Sequence, residues 1–126
     1  MRIAKNDIPV LIDAPGAVAR QRSDFGKANG TMGAEYFSLG AGADLAPLLE
    51  GLEHDLCQSE HWGYVIDGAL AVTYQDGTAE RCATGDMLHW PAGHTVRAEE
   101  DTDFILFSPQ DTHLPVLSHV KAKMGL

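Results

Sequence analysis

The stretch EHDLCQSEHWGYVIDG, residues 53–68, sets His54, Cys57 and His61 among the carboxyl groups of Glu53, Asp55 and Glu60, just ahead of an apolar run that ends at Asp67-Gly68. A second stretch, GDMLHWPAGH, residues 85–94, adds His89 and His94. Thiolate and imidazole are preferred ligands of zinc and also suit iron, cobalt and nickel, so metal coordination is the first chemistry these residue types suggest. The plainer reading is packing, with the histidines hydrogen-bonded and Cys57 acting as a small buried hydrophobe. A cysteine near histidines is also how nucleophilic catalysis begins, but no helix N-terminus or oxyanion hole is marked beside Cys57, which places a thiol hydrolase well behind.

Whatever these groups do, short strands must position them. Asp67-Gly68, Asp76-Gly77, Gly85-Asp86, Ala92-Gly93 and Glu100-Asp101 recur every seven to nine residues, and such punctuation leaves room only for strands between. Asp67-Gly68 reads as a two-residue hairpin turn between YVI and ALAVTY, and Asp76-Gly77 folds ALAVTYQ back onto TAERCA. AVARQRS and GAEYFSL upstream also read as strands, and one of Glu35 and Tyr36 on the latter is expected to enter the interior as the nearest thing to a general base. Helix is expected only near Leu45–Leu49 and from about His113 to Lys123. The second is capped by Asp111 or Thr112, with Pro115 in its first turn and Leu114, Leu117, Val120 and Met124 along one face. A chain of eight to ten short antiparallel strands has to close or double over to protect its edges, which leaves an all-β barrel, sandwich or jelly roll.

HWGYVIDGAL followed by GDMLHWPAGH resembles the two signature stretches of the cupin superfamily, which implies an antiparallel jelly-roll β-barrel with a short C-terminal helix. The second stretch keeps Gly85, Pro91 and Gly93; the first keeps Gly68 after Tyr64, Val65 and Ile66. Cupins carry two histidines one residue apart, then a glutamate seven residues before the hairpin glycine, and a further histidine in the second signature. Here His61 stands where the glutamate is expected, and Cys57 and Asp55 take the two histidine places. A spacer one residue longer would select His54 instead. Val96 occupies the place of the last histidine, with His94 two residues earlier and of the same strand parity. The resemblance therefore implies an altered divalent transition-metal site of Cys57, His61 and His94, with Asp55 as fourth ligand or helper. Zinc is the first choice of ion, with Fe, Ni, Co or Mn also admitted. Two functional classes follow: a metal-dependent enzyme that polarises a small oxygen-rich substrate or activates water or O₂, and a binding or sensing module that holds a small molecule without reaction.

The remaining candidates are expected to be structural. Trp62 and Tyr64 alternate opposite His61 as packing residues, Leu88 and Trp90 face the core while Met87 and His89 face away, His113 and His119 lie at the surface, and Cys82 is inert. At 126 residues and 44% hydrophobic composition the chain fits one domain, residues 1–126. With 18 acidic against 9 basic residues and a net charge of −9, it offers no basic face for nucleic acid. The apolar runs are too short for a signal peptide or a membrane span, and two cysteines are too few for a disulfide scaffold, which suggests a cytoplasmic protein. A homodimer is expected, since a barrel this small leaves edge strands and outer sheet exposed.

Overall fold

The computed structural model describes residues 1–126 and contains ten strands. They are β1 (Val10–Ala14), β2 (Ala17–Arg22), β3 (Lys27–Ala28), β4 (Gly30–Leu39), β5 (His61–Asp67), β6 (Ala69–Tyr74), β7 (Ala79–Ala83), β8 (Met87–Trp90), β9 (His94–Ala98) and β10 (Thr102–Pro109). The helices are α1 (Ala46–Leu49) and α2 (Gln110–Lys123). The larger sheet runs β1-β2-β4-β10-β5-β8, with β3 beside β4; the smaller runs β7-β6-β9. All pairings are antiparallel. The jelly-roll-like architecture expected from the sequence is the one observed, and no helix is long and apolar enough to cross a membrane.

Alternation along each strand assigns its side chains. In β5, His61 and Val65 point inward, whereas Trp62, Tyr64 and Ile66 are 42%, 41% and 38% exposed on the outer face. In β10, Thr102, Phe104, Leu106 and Ser108 are buried in turn. The inner faces meet in one core, to which the larger sheet gives Val65, Leu88, Trp90, Phe104 and Leu106 and the smaller gives Leu70, Val72, Cys82, Val96 and Ala98. At one end of the barrel a second cluster forms beneath the helices, where Leu49 of α1 and Val116 and Val120 of α2 meet Ile12, Ala19 and Cys57.

Two local expectations are corrected. Asp67-Gly68 is no hairpin turn: β5 pairs with β10 and β8, and β6 with β7 and β9, so the chain crosses there from one sheet to the other. The Asp76-Gly77 turn does join the paired strands β6 and β7. Helix α2 starts at Gln110 straight out of β10, with Pro109 at its N-cap and no side-chain cap; Pro115 therefore lies past the first turn. Its buried face is Gln110, His113, Val116, Leu117 and Val120, so Leu114 is turned outward and 43% exposed.

The two Asp-Gly sites differ in a way that can be measured. Gly77 (φ +85°) has nothing within 4 Å of a would-be Cβ, whereas at Gly68 (φ +112°) that atom would lie 2.4 Å from Thr102 Oγ1 and 2.5 Å from the Asp101 carbonyl oxygen. Gly77→Ala should cost about 1–2 kcal/mol, the left-handed penalty alone. Gly68→Ala should cost at least about 3 kcal/mol, because the close approach to the preceding turn of β10 must also open. Urea unfolding of both variants checks this, and equal losses would contradict the crossing.

Candidate metal centre

Cys57 is placed by its backbone. Its N–H donates to the His94 carbonyl at 2.9 Å and its own carbonyl accepts from Gly93 N–H at 2.8 Å, an isolated antiparallel bridge that holds the thiol beside the first residue of β9. His61, the first residue of β5, faces the same space, with Nε2 3.5 Å from Cys57 Sγ. The ligand atoms of Cys57, His61 and His94 all lie within 4.8 Å of one another, and all three residues are buried. Metal–nitrogen and metal–sulfur bonds of about 2.0–2.3 Å place tetrahedral donors roughly 3.4–3.7 Å apart, so the cluster needs little closure to fit an ion such as zinc.

The second nitrogen of each imidazole is tied. His94 Nδ1 lies 2.8 Å from the Pro91 carbonyl oxygen, which can only accept; Nδ1 therefore carries the proton and Nε2 is left with its lone pair. His61 Nδ1 is 2.6 Å from Ser108 Oγ, whose hydroxyl donates to Glu35 Oε1 at 2.6 Å. A hydroxyl that gives its proton to a carboxylate must accept from the imidazole, so His61 too presents Nε2 to the cluster. Glu35 Oε2 in turn accepts from Gln21 Nε2 at 3.1 Å and from His113 Nδ1 at 2.5 Å. Burial holds His61 well below the usual histidine range and lowers His94 to about 4, while it pushes the Cys57 thiol up to about 11. In the metal-free protein the trio is therefore neutral near pH 7.

The sequence-derived set is brought together in three of its four members. Asp55 is left out: it is exposed in a turn, at φ +58°, and its Oδ1 accepts from Gly51 N–H at 2.9 Å. The alternative, His54, is exposed beside Glu53. His89 faces outward, stacks on Trp62 and meets Glu60 at 2.6 Å, and His119 donates at the surface to the Glu50 carbonyl. Of Glu35 and Tyr36, Glu35 enters the interior.

His113 was expected at the surface but is only 4% exposed, its ring centroid 4.4 Å from that of His61. The signal for it was present, since His113 precedes Val116, Leu117 and Val120 by three, four and seven residues, the spacing of one helix face. Ser108 and Gln21 carried no such signal, because a serine or glutamine in an alternating strand is ordinarily assigned to solvent.

Beside the cluster, beneath α1 and α2, lies a cavity of about 90 Å³. Of its 22 lining residues 18 are hydrophobic, and the others are His61, His94, His113 and Thr95. No family model and no curated protein matches the chain. Among solved structures it resembles variants of the oxalate decarboxylase of Bacillus subtilis. A tryptophan-to-phenylalanine variant and a glutamate-to-alanine variant each match with a TM-score of 0.63 at 21% identity over 85% of this chain. An arginine-to-alanine variant matches with a TM-score of 0.61 at 22% identity over 82%. This chain spans 28% of the length of those proteins, and the likeness is one of fold.

The lowered histidines make metal-free stability pH-dependent. His94 takes up its proton near pH 4 when folded but near 6.5 when unfolded, so the unfolded state binds more protons between those values and stability falls as pH drops through that window. The loss from this residue is on the order of 3 kcal/mol. Denaturant melts of metal-free protein at pH 7 and pH 4 should show His94→Gln losing less stability than the wild type by about that amount; parallel losses would count against it.

Proposed function

We propose that this cupin-like barrel binds one divalent transition metal ion, zinc first among the candidates, through Cys57, His61 and His94, and that it is an enzyme acting on a small molecule held in the adjoining cavity. The observation that carries the reading is the pre-set tautomer of both histidines: each has Nδ1 engaged, by Pro91 or by Ser108, and the ligand atoms of both lie within 4.8 Å of the Cys57 sulfur. A core histidine would also pair its Nδ1; what favours a metal is that the ligand atoms of two such histidines converge within 4.8 Å of each other and of a cysteine sulfur.

With Asp55 turned away, three protein donors remain, the number that leaves a coordination place for water or substrate. A bound ion would supply Lewis acidity there. The Glu35–Ser108–His61 chain holds the imidazole and raises its basicity. A non-catalytic binding module that holds a small molecule in the same cavity is the second reading, and it fits the full engagement of Glu35 by Ser108, Gln21 and His113. The expected homodimer finds support in the outward apolar strip of Trp62, Tyr64, Ile66 and Met87, the last 87% exposed. Sedimentation equilibrium should return twice 13.6 kDa at micromolar concentration, and a monomer would remove the dimer.

Elemental analysis after chelation, zinc add-back and removal of excess should give about one ion per chain in the wild type. Cys57→Ala and His61→Ala should retain at least about tenfold less tightly, and Asp55→Ala, His54→Ala and His89→Ala should behave as wild type. Because both histidines are already neutral, Cys57 alone must lose a proton on binding. Apparent affinity should therefore rise about tenfold per pH unit from pH 6.5 to 8.5, and Cys57→Ala should flatten that rise. Substoichiometric zinc in the wild type would reduce the three residues to packing and polar lining.

A further inference from the structure

The cavity wall has a one-sided chemistry. It contains no lysine, arginine, aspartate, glutamate, asparagine or glutamine. Its histidines gather in one corner, where His61 lies 5.1 Å from His94 and 4.4 Å from His113 between ring centroids, with Cys57 at the same corner. Two further polar groups belong to the wall, the Thr95 hydroxyl, which follows His94 in the chain, and the Trp90 indole N–H, and both are buried with no hydrogen-bond partner. Away from that corner the wall is Phe37, Leu49, Phe104, Val116 and Val120.

We propose that the cavity takes a small, mainly apolar molecule with a single donor head: the head sits at the Cys57, His61 and His94 corner and the hydrocarbon tail lies against the wall beneath α1 and α2. The role of the head as a metal ligand rests on the metal reading above; the apolar tail does not. A compact dianion such as oxalate is disfavoured, because it offers no hydrocarbon to the apolar part of the wall, and that wall holds no lysine or arginine to meet its charge. The chain's net charge of −9 also repels anions at long range. Size sets a second limit. An apolar cavity of about 150 Å³ holds benzene, so the roughly 90 Å³ here fits a tail of about three to five carbons.

The test titrates cobalt-loaded protein with ethanethiol, 1-propanethiol, 1-butanethiol and 1-pentanethiol, and with oxalate, following the visible absorption of the ion. Affinity should rise about three- to fourfold per added methylene up to the length the cavity admits, and oxalate should bind more weakly than 1-butanethiol. Val120→Phe, which fills the cavity, should abolish the dependence on chain length at unchanged cobalt stoichiometry; should that variant not fold, the wild-type series decides alone. Affinities independent of chain length, or oxalate binding the tighter, would overturn the proposal. If no cobalt is retained, the metal reading fails separately. The tail is then judged by thermal stabilisation of the metal-free protein with 1-propanol, 1-butanol and 1-pentanol, where a rise with length supports it and a flat series overturns it.

Discussion

A buried carboxyl group that forms no ion pair with lysine or arginine is the constraint around which the interior is arranged. Glu35 has a side chain with no exposure, so its oxygens must be met inside the protein or not at all. Gln21 from β2, Ser108 from β10 and His113 from α2 each deliver a donor to it. Three separate elements are thereby fixed to β4 by polar groups whose loss would leave a buried polar atom unpaired, a stronger demand than the loss of equal apolar area. The second hydrogen bond of Ser108 then decides which nitrogen of His61 faces Cys57. Gln110 joins the same network through Gln21 and lies against Gly33, where a side chain would strike it.

The sequence disclosed most of what depends on local periodicity. The alternation of β5 put His61 and Val65 on one face, and the pattern MLHW put Leu88 and Trp90 inside and Met87 and His89 outside, as observed. The strand pattern marks Glu35 or Tyr36 as the residue that turns inward, but what Glu35 meets there is not legible, because its partners lie 14, 73 and 78 residues away and none is of a type that announces burial. The same blindness to long-range pairing explains Asp67-Gly68. Two Asp-Gly pairs look alike in one dimension, and only the approach of Asp101 and Thr102 turns the first into a sheet crossing. Asp55 was chosen by its offset from Cys57, whereas the turn that contains it rotates its carboxylate back onto Gly51.

Fold and chemistry separate cleanly in this molecule. The barrel shape is shared with a protein named as an oxalate decarboxylase, while the cavity wall here has no lysine or arginine, a thiol among the candidate ligands and mostly hydrocarbon. In this chain His61 and His94 sit at inward positions that open β5 and β9. The jelly roll supplies rigid places, and the residues at those places supply the selectivity.

The order of strands in the larger sheet also bears on how the chain is made. β10, last of the ten in the chain, is inserted between β4 and β5. During synthesis Cys57, His61 and His94 are added before Ser108 and His113, so for about a second or more the nascent chain carries every thiol and imidazole of the trio while lacking the central rung and the groups that orient them. Closure of that sheet demands contacts of long sequence separation, which are slow to form. The candidate donors thus pass through an interval in which they are free and unoriented, and they gain their fixed geometry only when the last strand slides into its slot.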